Sequence, residues 1–201
     1  MLKQETNYGI LASIDWNSNK WQESPIFEDL KGSNYGFVKD NKKTYTSINF
    51  GHELFPTDDN GYYSGLLPDL WKKSPDKEKS KFVNIVFQFS HNKYDGETYL
   101  VGFYAFPVFE KGKKTSPIDS FKEDFVTNIK ALPKDIYLLE NYIKFTNENI
   151  TKFLPKGKKL GKQGYNYLTK NNVLYIFDEI TRLNNCSKIM GIKLRIIRSL
   201  I

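Results

Sequence analysis

The chain has few of the residues that build metal and redox centres: one cysteine, Cys186, and two histidines, His52 and His91, among 201 residues. A single cysteine excludes an internal disulfide framework and a cysteine-based metal cluster, and it suits a reducing compartment. Cys186 reads as a core residue. Two histidines give poor support to a two-histidine metal site or an HNH-type nuclease centre. HExxH, GxSxG and GxxxxGK[ST] are all missing, so the chain reads as no enzyme, with no metal and no cofactor. No stretch approaches the roughly 18 continuous apolar residues of a membrane span, and the first residues lack a basic segment leading into an apolar run. The expectation is a soluble, cytoplasmic protein with no membrane partner. The apolar stretch Ile196 to Ile201 suggests the front part of a longer polypeptide.

What the chain does have is unevenly placed charge. Up to Glu110, 12 Lys and Arg face 15 Asp and Glu; from Lys111 onward 18 face 8, so the formal net charge of +7 belongs to the second half. A basic body attached to a near-neutral one attracts polyanions, nucleic acid above all. Lys152 to Lys170 holds six lysines and no acidic residue, with Gly157, Gly161 and Gly164 making it a flexible basic loop. Phosphate contacts are expected from Lys111, Lys113, Lys114, Lys158, Lys159 and Lys162. The acidic pairs Asp58-Asp59 and Glu123-Asp124 read as solvated.

Along the first 110 residues, apolar runs alternate with turn signals. Tyr8 to Trp16 reads as an opening strand, broken by Asn17-Ser18-Asn19. Pro25 to Leu30 reads as a short helix. Gly36 to Val38 and Thr44 to Phe50 read as short strands. Asp58-Asp59-Asn60-Gly61 is a turn, and Trp71 to Ser80 a loop. Phe82 to Ser90 and Tyr99 to Phe109 form a central antiparallel hairpin around Asp95-Gly96. Gly102, within its second strand, marks a bend or a close approach to the backbone. Five to seven such strands suggest a small barrel or strongly curved sheet. After Lys111, Ile118 to Ile129, Pro133 to Thr146 and Asn172 to Leu183 show helical spacing, and Ile189 to Ile201 fits a strand or a helix. The expected class is therefore α+β: a small curved β-barrel over residues 1–110, followed by a basic, mainly helical half over 111–201.

Aromatic residues make up 15% of the chain. Several stand where strands turn polar: Trp16 and Trp21 around Asn17-Ser18-Asn19, Tyr62 and Tyr63 after Gly61, Phe103 and Tyr104 after Gly102. Flat side chains at strand ends can sandwich a base lifted from its stack, while Asp15, Asn17 or Asn49 reads its polar edge. The alternative is that these rings fill the core.

Four motifs occur in order: a tryptophan ending the first strand, Asn49-Phe50-Gly51-His52-Glu53, Gly61-Tyr62-Tyr63, and Val101-Gly102-Phe103-Tyr104. Together, over residues 8–110, they resemble the EVE/YTH-like branch of the PUA superfamily found in modification-dependent restriction systems. The resemblance implies a curved barrel flanked by helices, whose aromatic cage holds a flipped modified base of DNA or a modified nucleotide of RNA, with DNA favoured as the partner. Any cleavage would then reside in a separate nuclease or motor domain or subunit. An RNA-binding PUA-like protein and a protein–protein adaptor with exposed aromatics are the other expectations. A fourth, an enzyme using His52 and Glu53 as an acid–base pair, is disfavoured because adjacent strand residues point to opposite faces.

Overall fold

Side chains alternate across the first strand, β1 (Gly9–Ile14), sending Ile10, Ala12 and Ile14 to one side and Leu11 to the other, and all six residues are buried. A strand buried on both faces needs a cover on each. The structure, a computed structural model, supplies both covers; it describes residues 3–33, 36–68, 77–115, 124–160 and 164–199. β1 lies in a five-stranded sheet with β3 (Ile85–Asn92), β4 (Glu97–Ala105), β8 (Ile136–Lys144) and β9 (Tyr165–Leu168), in the order β8-β4-β3-β1-β9. β1 runs parallel to β3, and the other neighbours are antiparallel. Strands from both sides of residue 110 therefore share one sheet.

One cover is helical. Phe153 of α5 (Asn147–Phe153), Val173, Ile176, Phe177 and Ile180 of α6 (Lys170–Leu183), and Ile189, Ile192 and Ile196 of α7 (Ser187–Arg198) pack on Leu11, Ile85, Phe87, Leu100 and Phe103. The other cover is mostly irregular chain. It places Trp21, Phe50 and Tyr63 against Ile10, Val86, Val101 and Tyr104. This layer contains α2 (Phe27–Lys31), α3 (Gly36–Asn41), and the ribbon of β2 (Tyr63–Gly65) with β7 (Ile129–Ala131). A second ribbon pairs β5 (Gly112–Thr115) with β6 (Asp124–Thr127). α1 (Lys3–Thr6) and α4 (Lys77–Ser80) are single turns.

The opening strand, the central hairpin and the helices at 27–31 and 170–183 fall where expected; other elements differ. The sheet is open, with no closed barrel among the described residues. Gly36 to Val38 is helical. Thr44 to Phe50 is a chain of turns, because its hydroxyls bond the backbone locally: Ser47 Oγ donates to the Thr44 carbonyl at 2.5 Å and Thr44 Oγ1 accepts from the Thr46 N–H at 3.4 Å, while the Asn49 amide ties the segment to Leu66. Pro133 to Thr146 contains a strand, β8. The β4–β8 pairing is irregular, Leu100 facing Ile143 but Gly102 facing Leu138, so the strict period of two is lost. The buried residues Ile136, Leu139 and Ile143 consequently mimic helical spacing. Ile118 to Glu123 lie outside the described residues, while Asp124 to Thr127 and Ile129 to Ala131 are strands. The basic loop contains β9, paired with β1, and the second half is thus less helical than expected. Residues 187–198 form a helix, which decides the open choice for that segment.

Candidate nucleic-acid interface

The aromatic residues divide between the two faces of the sheet. Phe103 points to the helical side, where its ring meets Phe87, Phe177 and Tyr137. Its neighbour Tyr104 points to the other side, and the Tyr104 hydroxyl donates to the Asn49 carbonyl. The two cannot line one cage. Trp21, Tyr63, Phe103 and Tyr104 are each 0% exposed. Trp21 donates from Nε1 to the Asp15 carbonyl at 2.7 Å, and Tyr63 donates to the Ile48 carbonyl at 2.5 Å. Desolvation raises the Tyr63 and Tyr104 phenols well above their ordinary pKa.

The polar residues expected to read a base edge are engaged within the protein. Asn17 donates to the Glu23 carbonyl at 2.9 Å and accepts from the Asn19 N–H at 2.7 Å. Asn49 donates to the Leu66 carbonyl and Gln88 Oε1 and accepts from the Leu66 N–H, closing a buried network between cover and sheet. Asp15 is buried and accepts from Ser33 Oγ at 2.5 Å. These amides and carboxylates hold the irregular layer together.

Trp16 and Tyr62 are the half-buried members of the set. Trp16 meets Trp21, Tyr99 and Tyr142, with ring centroids 5.6, 6.2 and 6.3 Å away. Tyr99 and Tyr142 are themselves half-buried, and burial pushes the Tyr142 phenol up to about 12. The sequence did not single out these two as site residues. Their spacing suggests strand and helix faces, and their convergence on Trp16 exists only after folding. Tyr62 lies beneath the Lys130 ammonium, 5.3 Å from the ring centroid.

The basic residues also divide. Lys114 reaches back under the β5–β6 ribbon and places Nζ over the Tyr63 ring, so it faces no solvent phosphate. Lys111 and Lys113 are exposed on the same side, and Lys162 lies outside the described residues. Lys158 and Lys159 are exposed on the helical side. There, a depression of about 440 Å³ is lined by Ile150, Leu154, Pro155 and Leu160 and rimmed by Lys156, Lys158 and Lys159. Gly157 shapes the rim: its left-handed backbone, with φ of +80, closes the turn in which the Lys158 N–H bonds the Pro155 carbonyl at 3.0 Å. Asn166 of β9 donates to the Lys159 carbonyl at 3.4 Å and ties the rim to the sheet edge.

No family model, curated protein or solved structure matches the chain. The local charge balance distinguishes the depression from the larger groove between β8, α5 and α6, about 550 Å³. In that groove Lys144 pairs with Glu97 at 2.8 Å, Lys152 approaches Glu148 at 3.9 Å and Arg182 pairs with Glu179 at 2.7 Å. Each cation there has a carboxylate beside it. Lys156, Lys158 and Lys159 make no ion pair among the described residues, and an anion would displace no internal partner from them. Among the described residues, no cluster of three or more His, Cys, Asp or Glu is placed to hold an ion.

Proposed function

We propose that the protein is a non-catalytic nucleic-acid-binding module, DNA favoured over RNA, that holds phosphates on Lys156, Lys158 and Lys159. The carrying observation is the set of three exposed lysines without ion pairs around an apolar floor. Lysine contacts to phosphate supply affinity without sequence information, and the apolar floor offers a surface for an unstacked base or a sugar. In the stronger form of this reading the module recognises a modified, flipped base within a defence system. Trp16, flanked by Tyr99 and Tyr142, is then the ring to which such a base would stack, because it retains surface where Trp21 and Tyr63 have none.

Replacing Lys156, Lys158 and Lys159 together by Glu tests the phosphate contacts. Binding to modified and unmodified duplexes should weaken alike, and the slope of log K against log salt should flatten by about two to three, near 0.9 per lost phosphate contact. An unchanged slope would remove these lysines from the interface.

A further inference from the structure

The last helix, α7, carries apolar residues on two sides. Ile189, Ile192 and Ile196 are buried against the rest of the helical cover and the sheet. Met190, Leu194 and Ile197 are 41%, 48% and 38% exposed, and at about 100° per residue they fall within about 60° of one another, away from the buried stripe. The steps between them are four and then three residues, the spacing by which one helix offers a seam to another. Nothing among the described residues covers that seam.

Gly191 stands beside it. A Cβ there would meet nothing within 4 Å, so no packing inside the molecule calls for a glycine. Glycine in a helix interior costs stability relative to alanine, and at an open position its use is to let a second backbone come close.

Charge decides what kind of helix fits. Ser187–Arg198 contains Lys188, Lys193, Arg195 and Arg198 and no acidic residue. Lys193 is neutralised by Asp178 at 2.7 Å, Arg195 pairs with Asp135, and Lys188 lies over the Tyr137 ring, 5.5 Å from its centroid. Arg198, next to Ile197, is exposed and makes no ion pair among the described residues. A second copy of α7 offers it no carboxylate: parallel pairing would bring Arg198 toward Lys193 of the other copy, and antiparallel pairing would bring it toward Gly191. The open charge therefore favours an acidic partner over self-pairing.

We infer that Met190, Leu194 and Ile197 dock a helix of another protein, apolar at the facing positions and carrying Glu or Asp beside them to meet Arg198. The apolar contacts supply affinity, and the flanking carboxylate sets the choice of partner. These residues are separate from the rim of Lys156, Lys158 and Lys159, so this docking does not depend on nucleic-acid binding.

The test titrates the full chain into a fluorescein-labelled synthetic peptide of about four heptads, with Leu at a and d and Glu at e and g, followed by anisotropy. A matched peptide has Lys at e and g. The acidic peptide should bind saturably and at least about tenfold more tightly than the basic one. Leu194→Gln, at an exposed position, should keep the wild-type melting temperature and weaken the acidic peptide at least about tenfold. Met190→Gln takes its place if L194Q melts early. Arg198→Glu should move the preference toward the basic peptide. No saturable binding of the acidic peptide, no loss in the glutamine variant, or a preference that R198E leaves unchanged overturns the assignment. It is equally overturned by sedimentation showing a dimer that the glutamine variant dissolves, which makes the occupant a second copy. Binding to phosphatidylserine vesicles that falls further than peptide binding in that variant also overturns it, because the seam then serves a membrane surface.

Discussion

At position 102 there is no room for a side chain. A Cβ there would sit 2.5 Å from two ring carbons of Phe50 and 2.5 Å from the Tyr137 carbonyl oxygen. Phe50 is buried between Trp21 and Tyr104, and the carbonyl belongs to β8, so neither can retreat without moving an element. Gly102→Ala should cost about 1 to 3 kcal/mol by overpacking, and each kcal/mol should lower the melting temperature by about 2 to 4 °C. An unchanged thermal melt would mean that the Phe50 ring yields freely. His52 sets a different condition, on pH. Its folded pKa of about 4 lies below the ordinary 6.5, so between these values the unfolded chain binds the proton and the folded chain refuses it. Stability contributed by the neutral imidazole is complete above pH 6.5 and is lost as pH falls toward 4, by at most about 1.4 kcal/mol per pH unit. His52→Leu should flatten that acid limb in urea melts taken across the window. A variant whose limb stays as steep as wild type would place the titrating group elsewhere.

Two helices begin with the same device. Thr146 with Asn149 opens α5 and Thr169 with Asn172 opens α6, each pair exchanging side-chain and backbone bonds. Asn172 also donates to the Lys152 carbonyl at 2.7 Å and so fixes the approach of α6 to α5. Thr169→Ala should destabilise by about 1 kcal/mol, read as a lower urea midpoint at constant m-value. A fall in m would instead report loss of the α5–α6 contact. The helix at 170–183 was legible because its apolar period is unbroken, and the central hairpin because β-branched and aromatic runs flank a turn with Gly96 at φ +75. β8 was illegible because an irregular register erased its alternation. The 44–50 segment was illegible because its apolar and hydroxyl residues, Ile48 and Phe50 among Thr and Ser, resemble a strand until the hydroxyls bond their own backbone. The candidate site divides along the same line. Exposed lysines announce themselves by composition, and Lys158 and Lys159 emerge on the rim. Which face Phe103 and Tyr104 take depends on the register shift in the β3–β4 pairing, and Trp21 and Tyr63 are covered only by contacts between distant segments, so the cage residues separated into core positions with Trp16 and Tyr62 at their margin.

Across the molecule, the exposed lysines among the described residues are divided between the two covers. Lys156, Lys158 and Lys159 stand over the helical cover, whereas Lys113 stands on the ribbon whose Lys114 rests on Tyr63 in the opposite cover. One short duplex engaging the helical side would leave Lys113 untouched. Lys113→Glu should therefore change duplex affinity far less than reversal of the three rim lysines; equal losses would mean that the nucleic acid wraps both faces. The sheet order also has a consequence for how the molecule is made. β1 takes β3 on one side and β9 on the other, and Gly9 pairs with Leu168 although about 160 residues separate them. A ribosome adding about 5 to 20 residues per second delivers β9 on the order of ten to thirty seconds after β1. Throughout that interval the apolar run Gly9-Ile-Leu-Ala-Ser-Ile14 lacks its second neighbour, and its helical roof, α6 and α7, is later still. Nascent chains are thus most exposed to aggregation, and most in need of a chaperone that holds apolar segments, at the strand that ends up best buried.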